Sequence, residues 1–95
     1  MYAVINHLHL TIPVEEIREK VDQELVPLMR TLPGFVAFYL TKDADDRATA
    51  IILWDSATAA DNGGKVIGPS WFAKNVAPYL ASDQVRTVSE VVVSS

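Results

Sequence analysis

The segment from Leu32 to Ser56 constrains the fold more than any other part of this chain. Leu32-Pro33-Gly34-Phe35 leads into the apolar run Phe38-Tyr39-Leu40, a polar link Lys42-Asp43-Ala44-Asp45-Asp46-Arg47, a second apolar run Ala50-Ile51-Ile52-Leu53-Trp54, and then Asp55-Ser56. Proline cannot continue a helical hydrogen-bond ladder, and glycine accepts the left-handed backbone found just past a helix end, so together they close a helix. Two apolar runs around a short charged link read as a β-hairpin. A serine just beyond the second run can accept from the unpaired N–H groups that open the next helix. Helix end, strand, turn, strand and helix cap form the middle of a β-α-β-β-α-β unit.

The flanks complete that unit. From Tyr2 to Leu10 the residues alternate, with Tyr2, Val4, Asn6, Leu8 and Leu10 on one face and Ala3, Ile5, His7 and His9 on the other, which predicts strand 1. Pro13 suits a first helical turn, Glu15 and Glu16 favour the positive end of the helix, and Val14, Ile17, Val21, Leu25, Leu28 and Leu32 recur at helical spacing. Pro27 falls inside this helix and predicts a kink. Strands 2 and 3 are expected over about Phe35–Thr41 and Ala48–Trp54. A short alanine-rich helix, Ala57 to Asp61, should stop at Asn62-Gly63-Gly64, a stretch open to use as a flap. A second helical start follows at Gly68-Pro69-Ser70, and Val85 to Val93 alternates as strand 4.

The expected class is therefore α+β: one ferredoxin-like domain spanning residues 1–95, with a four-stranded antiparallel sheet. Helices cover one sheet face and the other needs a cover. Of the residues, 49% are apolar, and an excess of that size in so short a chain must go into a core, a ligand cavity or a subunit interface. The face carrying Ile5, His7, His9, Arg86 and Glu90 is the one expected to meet another subunit.

Charge excludes some roles. The net charge is −4 and the eight basic residues are scattered, which disfavours nucleic-acid binding. No cysteine is present, so disulfides, thiolate metal sites and cysteine nucleophiles are excluded. The opening residues lack a basic leader and no apolar run approaches the ~20 residues that span a bilayer, so no membrane association and a cytoplasmic location are expected.

Pro33-Gly34-Phe35 before strand 2 and Trp54-Asp55-Ser56 after strand 3 resemble the antibiotic biosynthesis monooxygenase family of dimeric α+β barrels. The likeness extends over nearly the whole chain in element order. It implies that a second copy covers the open sheet face, giving a homodimer, and that some members oxidise small aromatic or quinol-type substrates without a cofactor.

The residues that could carry chemistry are few. Asn6 lies among apolar residues on the face expected to meet the helices, where an amide without partners costs about 1–3 kcal/mol. Either nearby backbone and hydroxyls satisfy it or it holds a substrate oxygen, and the resemblance implies the second, since Asn6 looks like the family's strand-1 active-site asparagine. It is the candidate catalytic residue. Trp71, Phe72 and, eight positions after Trp71, Tyr79 are candidate substrate-binding residues that could wall an aromatic pocket, although rings at such spacing also serve as plain core. Trp54 matches the family's tryptophan and reads as structural.

His7 and His9 are close enough on one strand face to share a metal, with Glu90 the only third ligand in view, but a packed pair at an interface is the expected reading and no metal is expected. The acidic link lacks the glycine and distal glutamate of a calcium loop. Gly63-Gly64-Lys65 lacks the rest of a phosphate-binding loop. The family's haem-degrading branch uses a helical histidine, whereas this chain has none after His9 and carries Asn75 near the expected place. No cofactor is expected. Two functions follow: a cofactor-independent monooxygenase of a small aromatic or quinol-type substrate, or a non-catalytic dimeric barrel that binds a small apolar or aromatic ligand or is purely structural.

Overall fold

The computed structural model describes residues 1–95. Four antiparallel strands, β1 (Tyr2–His9), β2 (Phe35–Ala44), β3 (Arg47–Trp54) and β4 (Val85–Glu90), form one sheet in the order β2-β3-β1-β4. This is the ferredoxin-like arrangement expected from the sequence. Strand β1 pairs with both β3 and β4, so Asn6 stands between Ala50 and Arg86 in the middle of the sheet.

The helices lie on one face. They are α1 (Glu15–Lys20), α2 (Val26–Arg30), α3 (Ala57–Ile67) and α4 (Ala73–Asn75). Val4, Leu8, Ala48, Ile52 and Trp54 from the sheet, with Val14, Ile17, Val21, Leu25 and Met29 from the first helical layer and Ala59, Ala60, Ile67 and Trp71 from the second, belong to one core of 16 buried residues. Burial of this face is the main stabilising term, because it removes apolar surface from water at about 25 cal/mol per Å2. No helix is long and apolar enough to cross a membrane.

The signals at the hairpin behave as the sequence suggests. Gly34 is the only residue with positive φ, +80°, and a Cβ there would meet Asp55 and Ala59 at 2.4 Å. Its carbonyl accepts from the Asp55 N–H at 2.8 Å, closing the step between the two motifs. Ser56 caps α3, its hydroxyl oxygen accepting from the Ala59 N–H at 3.1 Å. Strand β2 runs on to Ala44, beyond the expected Thr41, and β4 ends at Glu90 rather than Val93.

Both helical layers depart from the expected geometry, each beside a proline. Between α1 and α2 the residues Val21–Leu25 form a π-helical turn, in which the Val26 N–H bonds the Val21 carbonyl five residues back. Pro27 follows as the second residue of α2. The wider turn adds a residue to the helical period. The buried stripe accordingly moves from the expected Leu28 to Met29, which is fully buried.

The second layer continues through the glycines instead of stopping. Helix α3 runs from Ala57 to Ile67, and a second π-helical turn, Gly68–Phe72, carries it through Pro69 into α4. The expected stop at Asn62-Gly63-Gly64, and with it the flap, is overturned by packing. A Cβ on Gly63 would fall 2.2 Å from the Trp54 ring, so this glycine is there to let the helix close on the indole. The helix ends properly at Val76, whose φ of −121° leads into a 3-10 turn, Ala77–Tyr79.

Candidate functional site

Alternation along β1 turns Asn6 toward the helices, with Val4 and Leu8 on either side of it in the core. Its Oδ1 is buried and has no hydrogen-bond partner, the single side-chain atom of the protein in that state. Its strand neighbours on that face do not pair it in this structure: Ala50 offers only a methyl, and the Arg86 guanidinium makes no hydrogen bond to it.

Two small cavities meet at this amide. The inner one, about 60 Å3, is walled almost wholly by apolar groups, among them Leu8, Ile52, Ile67, Trp71 and Phe72. The second, about 90 Å3, lies toward β4 and is bounded by Trp54, Gly64, Gly68, Phe72, Gln84 and Arg86. Asn6, Ile52, Ile67 and Phe72 line both, so the two are neighbouring chambers with the amide on their common wall.

The π-helical turns make this space. Val21 and Leu25 come from the first turn, and Trp71 and Phe72 from the second. The turns are tied to each other across the layer, where the Trp71 indole N–H donates to Glu24 Oε1 at 3.1 Å. Such turns widen a helix locally and recur at binding sites. Outside them, a groove of about 660 Å3 runs between the first helical layer and strand β2, and it shares Val21, Phe38 and Leu40 with the inner chamber. Its rim is charged. Glu15 hydrogen-bonds Lys42, which holds the carboxyl below its ordinary range and the ammonium above its own.

Of the residues singled out in the sequence, Asn6, Trp71 and Phe72 are brought together in this space, and Tyr79 is not. Tyr79 lies in the 3-10 turn and is 37% exposed, its carbonyl accepting from Thr11. The two-turn spacing from Trp71 assumed a continuous α-helix, and the π-turn before Ala73 and the break at Val76 destroy that phase. Trp54 is 1% exposed and packs edge-on to Phe35 at 5.9 Å, in keeping with its structural reading.

The histidines occupy the opposite sheet face. His7 Nδ1 hydrogen-bonds Thr49 Oγ1 at 3.2 Å and His9 Nε2 meets Asp46 Oδ2 at 3.1 Å. The Thr49 hydroxyl also donates to Asp43 at 2.5 Å and that of Thr41 at 2.9 Å, which together hold the Asp43 carboxyl below its usual range. Arg86 and Glu90, expected on this face, lie on the other one: Arg86 is paired with Asn6, and Glu90 accepts from the Tyr2 hydroxyl at 3.4 Å. Glu90 therefore cannot join the histidines as a third ligand, and no group of three metal-binding side chains exists in the structure. The misplacement arose because alternation gives two faces for β4 but only the pairing register says which one meets the helices.

Arg86 is thus the site residue that the sequence reading put elsewhere. It is the only ionisable side chain lining either chamber. The arrangement can take a flat apolar body and offer it one amide and one guanidinium, while supplying no carboxylate or imidazole to remove a proton.

No family model matches the sequence and no curated protein matches it. Solved structures match the fold over the whole chain. The cofactor-independent oxygenase SnoaB from Streptomyces nogalater shares 18% identity, covering 98% of this chain and 94% of its own, with a TM-score of 0.77. A monooxygenase from the gene ActVA-Orf6 of Streptomyces coelicolor, solved with the ligand Nanaomycin D, shares 14% over 99% of this chain and 92% of its own, with a TM-score of 0.74. The NE2512 protein of Nitrosomonas europaea, of unknown function, reaches 0.80 at 13% identity, covering 99% and 91%. The fold is also that of structures named antibiotic biosynthesis monooxygenases, as the two sequence motifs suggested.

Proposed function

We propose that this protein is a cofactor-independent monooxygenase of the antibiotic biosynthesis type, acting on a small aromatic or quinol-type substrate. One observation carries the reading: an amide whose oxygen is buried and unpaired, held at the junction of two largely apolar chambers. A stable core has no use for such a group, which costs about 1–3 kcal/mol unpaired. A substrate hydroxyl gives it one, by donating to Oδ1.

The chemistry asks little of the protein. An activated ring carbon, as its phenolate or enolate, gives an electron to dioxygen, and the two radicals combine in a carbon–oxygen bond. Loss of water leaves a carbonyl, so that CH2 and O2 become C=O and H2O. Asn6 orients the substrate by accepting from its hydroxyl at Oδ1, while Phe72 and the Trp71 ring flank it. The substrate donates one hydroxyl to Asn6 and ionises at a second oxygen acidic enough to need no base.

That lack also favours a second reading, in which the chambers bind a small aromatic ligand without turning it over. The indole N–H of Trp71 is committed to Glu24 and serves no ligand. In either case, we propose that a second copy covers the open sheet face, where Ile5, Ile51 and Leu53 are half-buried and Tyr39 is 58% exposed.

Oxygen consumption by the metal-free protein over a panel of hydroquinones and anthrones separates the readings. Turnover that falls at least ~100-fold in Asn6→Ala, the size expected when a substrate loses the contact that positions it, supports the enzyme. Turnover equal in both proteins removes Asn6 from the chemistry.

A further inference from the structure

The chemical character of the ligand is written in the pair Asn6 and Arg86. These residues are direct partners in the β1–β4 register, on the helix-facing side, so their side chains project side by side into the outer chamber. Asn6 presents a buried oxygen that accepts no hydrogen bond, not even from Arg86 beside it. Arg86 presents a cation that enters none of the protein's ion pairs, which involve only His9, Lys42 and Lys65. Its guanidinium lies 3.4 Å from where a Gly64 side chain would begin, so it crosses bare backbone at the chamber wall. A ligand that satisfies both must carry a hydroxyl that donates and, next to it, an anionic oxygen.

Size narrows the choice. The chambers are about 60 and 90 Å3, and an apolar cavity of about 150 Å3 is what holds one benzene ring. Ile52, Ile67 and Trp54 are packed into the core and, with the partly buried Phe72, make the enclosed part of this space the size of one ring. We infer that the ligand is a single-ring hydroxyaryl acid, with its carboxylate on Arg86 and its adjacent hydroxyl donating to Asn6 Oδ1. Resting on the same site as the proposed oxygenase, this assignment names the substrate class and stands or falls on binding alone.

Titration calorimetry with the full chain tests it without any turnover. The probes are 2-hydroxybenzoate, benzoate, phenol and a tricyclic anthrone, against wild type and Arg86→Gln. The expected result is that 2-hydroxybenzoate binds at least ~10-fold more tightly than benzoate or phenol, and that Arg86→Gln weakens it by about the same factor while leaving phenol unchanged. Binding of the anthrone more tightly than 2-hydroxybenzoate, equal binding of benzoate, or an unchanged Arg86→Gln affinity overturns the assignment, as does absence of any binding. Tight acid binding without oxygen uptake overturns the oxygenase and leaves the ligand class standing.

Discussion

Trp54 and Asn6 point from the same sheet into the same helical layer, and that layer treats them in opposite ways. Trp54 bounds the outer chamber on one side, and elsewhere the packing closes on it: the indole is 1% exposed, Phe35 packs edge-on against it, and α3 gives up a side chain at Gly63 to reach its ring. Around Asn6 everything holds back. Both helical layers widen into π-turns there, two chambers remain, and a buried oxygen goes unpaired. The first region is solved for stability and the second is kept at a cost to it. Stabilising and functional demands are separated by only a few residues of strand.

The contrast breaks most visibly at Gly63. Gly63→Ala places a methyl 2.2 Å from the Trp54 ring and must displace a fully packed side chain, so a loss of about 1–3 kcal/mol is expected in denaturant unfolding. Gly64→Ala, one residue on, meets only the flexible end of Arg86 at 3.4 Å and should gain up to about 1 kcal/mol from helix propensity. Opposite signs at adjacent glycines would show that the first is a packing residue. Equal effects would mean that the tight corner is not tight.

A smaller effect belongs to the open face. The carboxyl of Asp43 is held below its ordinary value first by the Thr49 hydroxyl and then by that of Thr41. A depressed folded value stabilises the native state above the unfolded pKa, and this contribution fades as pH falls through the folded one. Thr49→Val should therefore show a shallower loss of stability between about pH 5 and pH 3 than wild type, with ligand binding at neutral pH unchanged. A change in binding would tie the open face to the chambers.

The closed region was far more legible in the sequence than the open one. Pro33-Gly34, Trp54 and Ser56 act through local backbone rules, and each does in the structure what its residue type suggests. The glycines at 63 and 64 misled because a glycine admitted for close approach looks, in one dimension, like a helix stop. Tyr79 misled because counting by 3.6 residues fails across a π-turn. Asn6 was visible as a polar residue in an apolar alternation, yet its partner Arg86 was not, since facing depends on a register that no single strand contains.

The most direct test of the claim that Asn6 is kept for a ligand is the unfolding midpoint of Asn6→Leu beside wild type. Leucine matches the amide in shape and removes the unpaired oxygen. If the fold does not need the amide, the midpoint rises, by about 4–8 °C for each kcal/mol recovered in a domain of this size. A midpoint that falls would show that Asn6 holds the structure together, and the chambers around it would lose their claim to be a site.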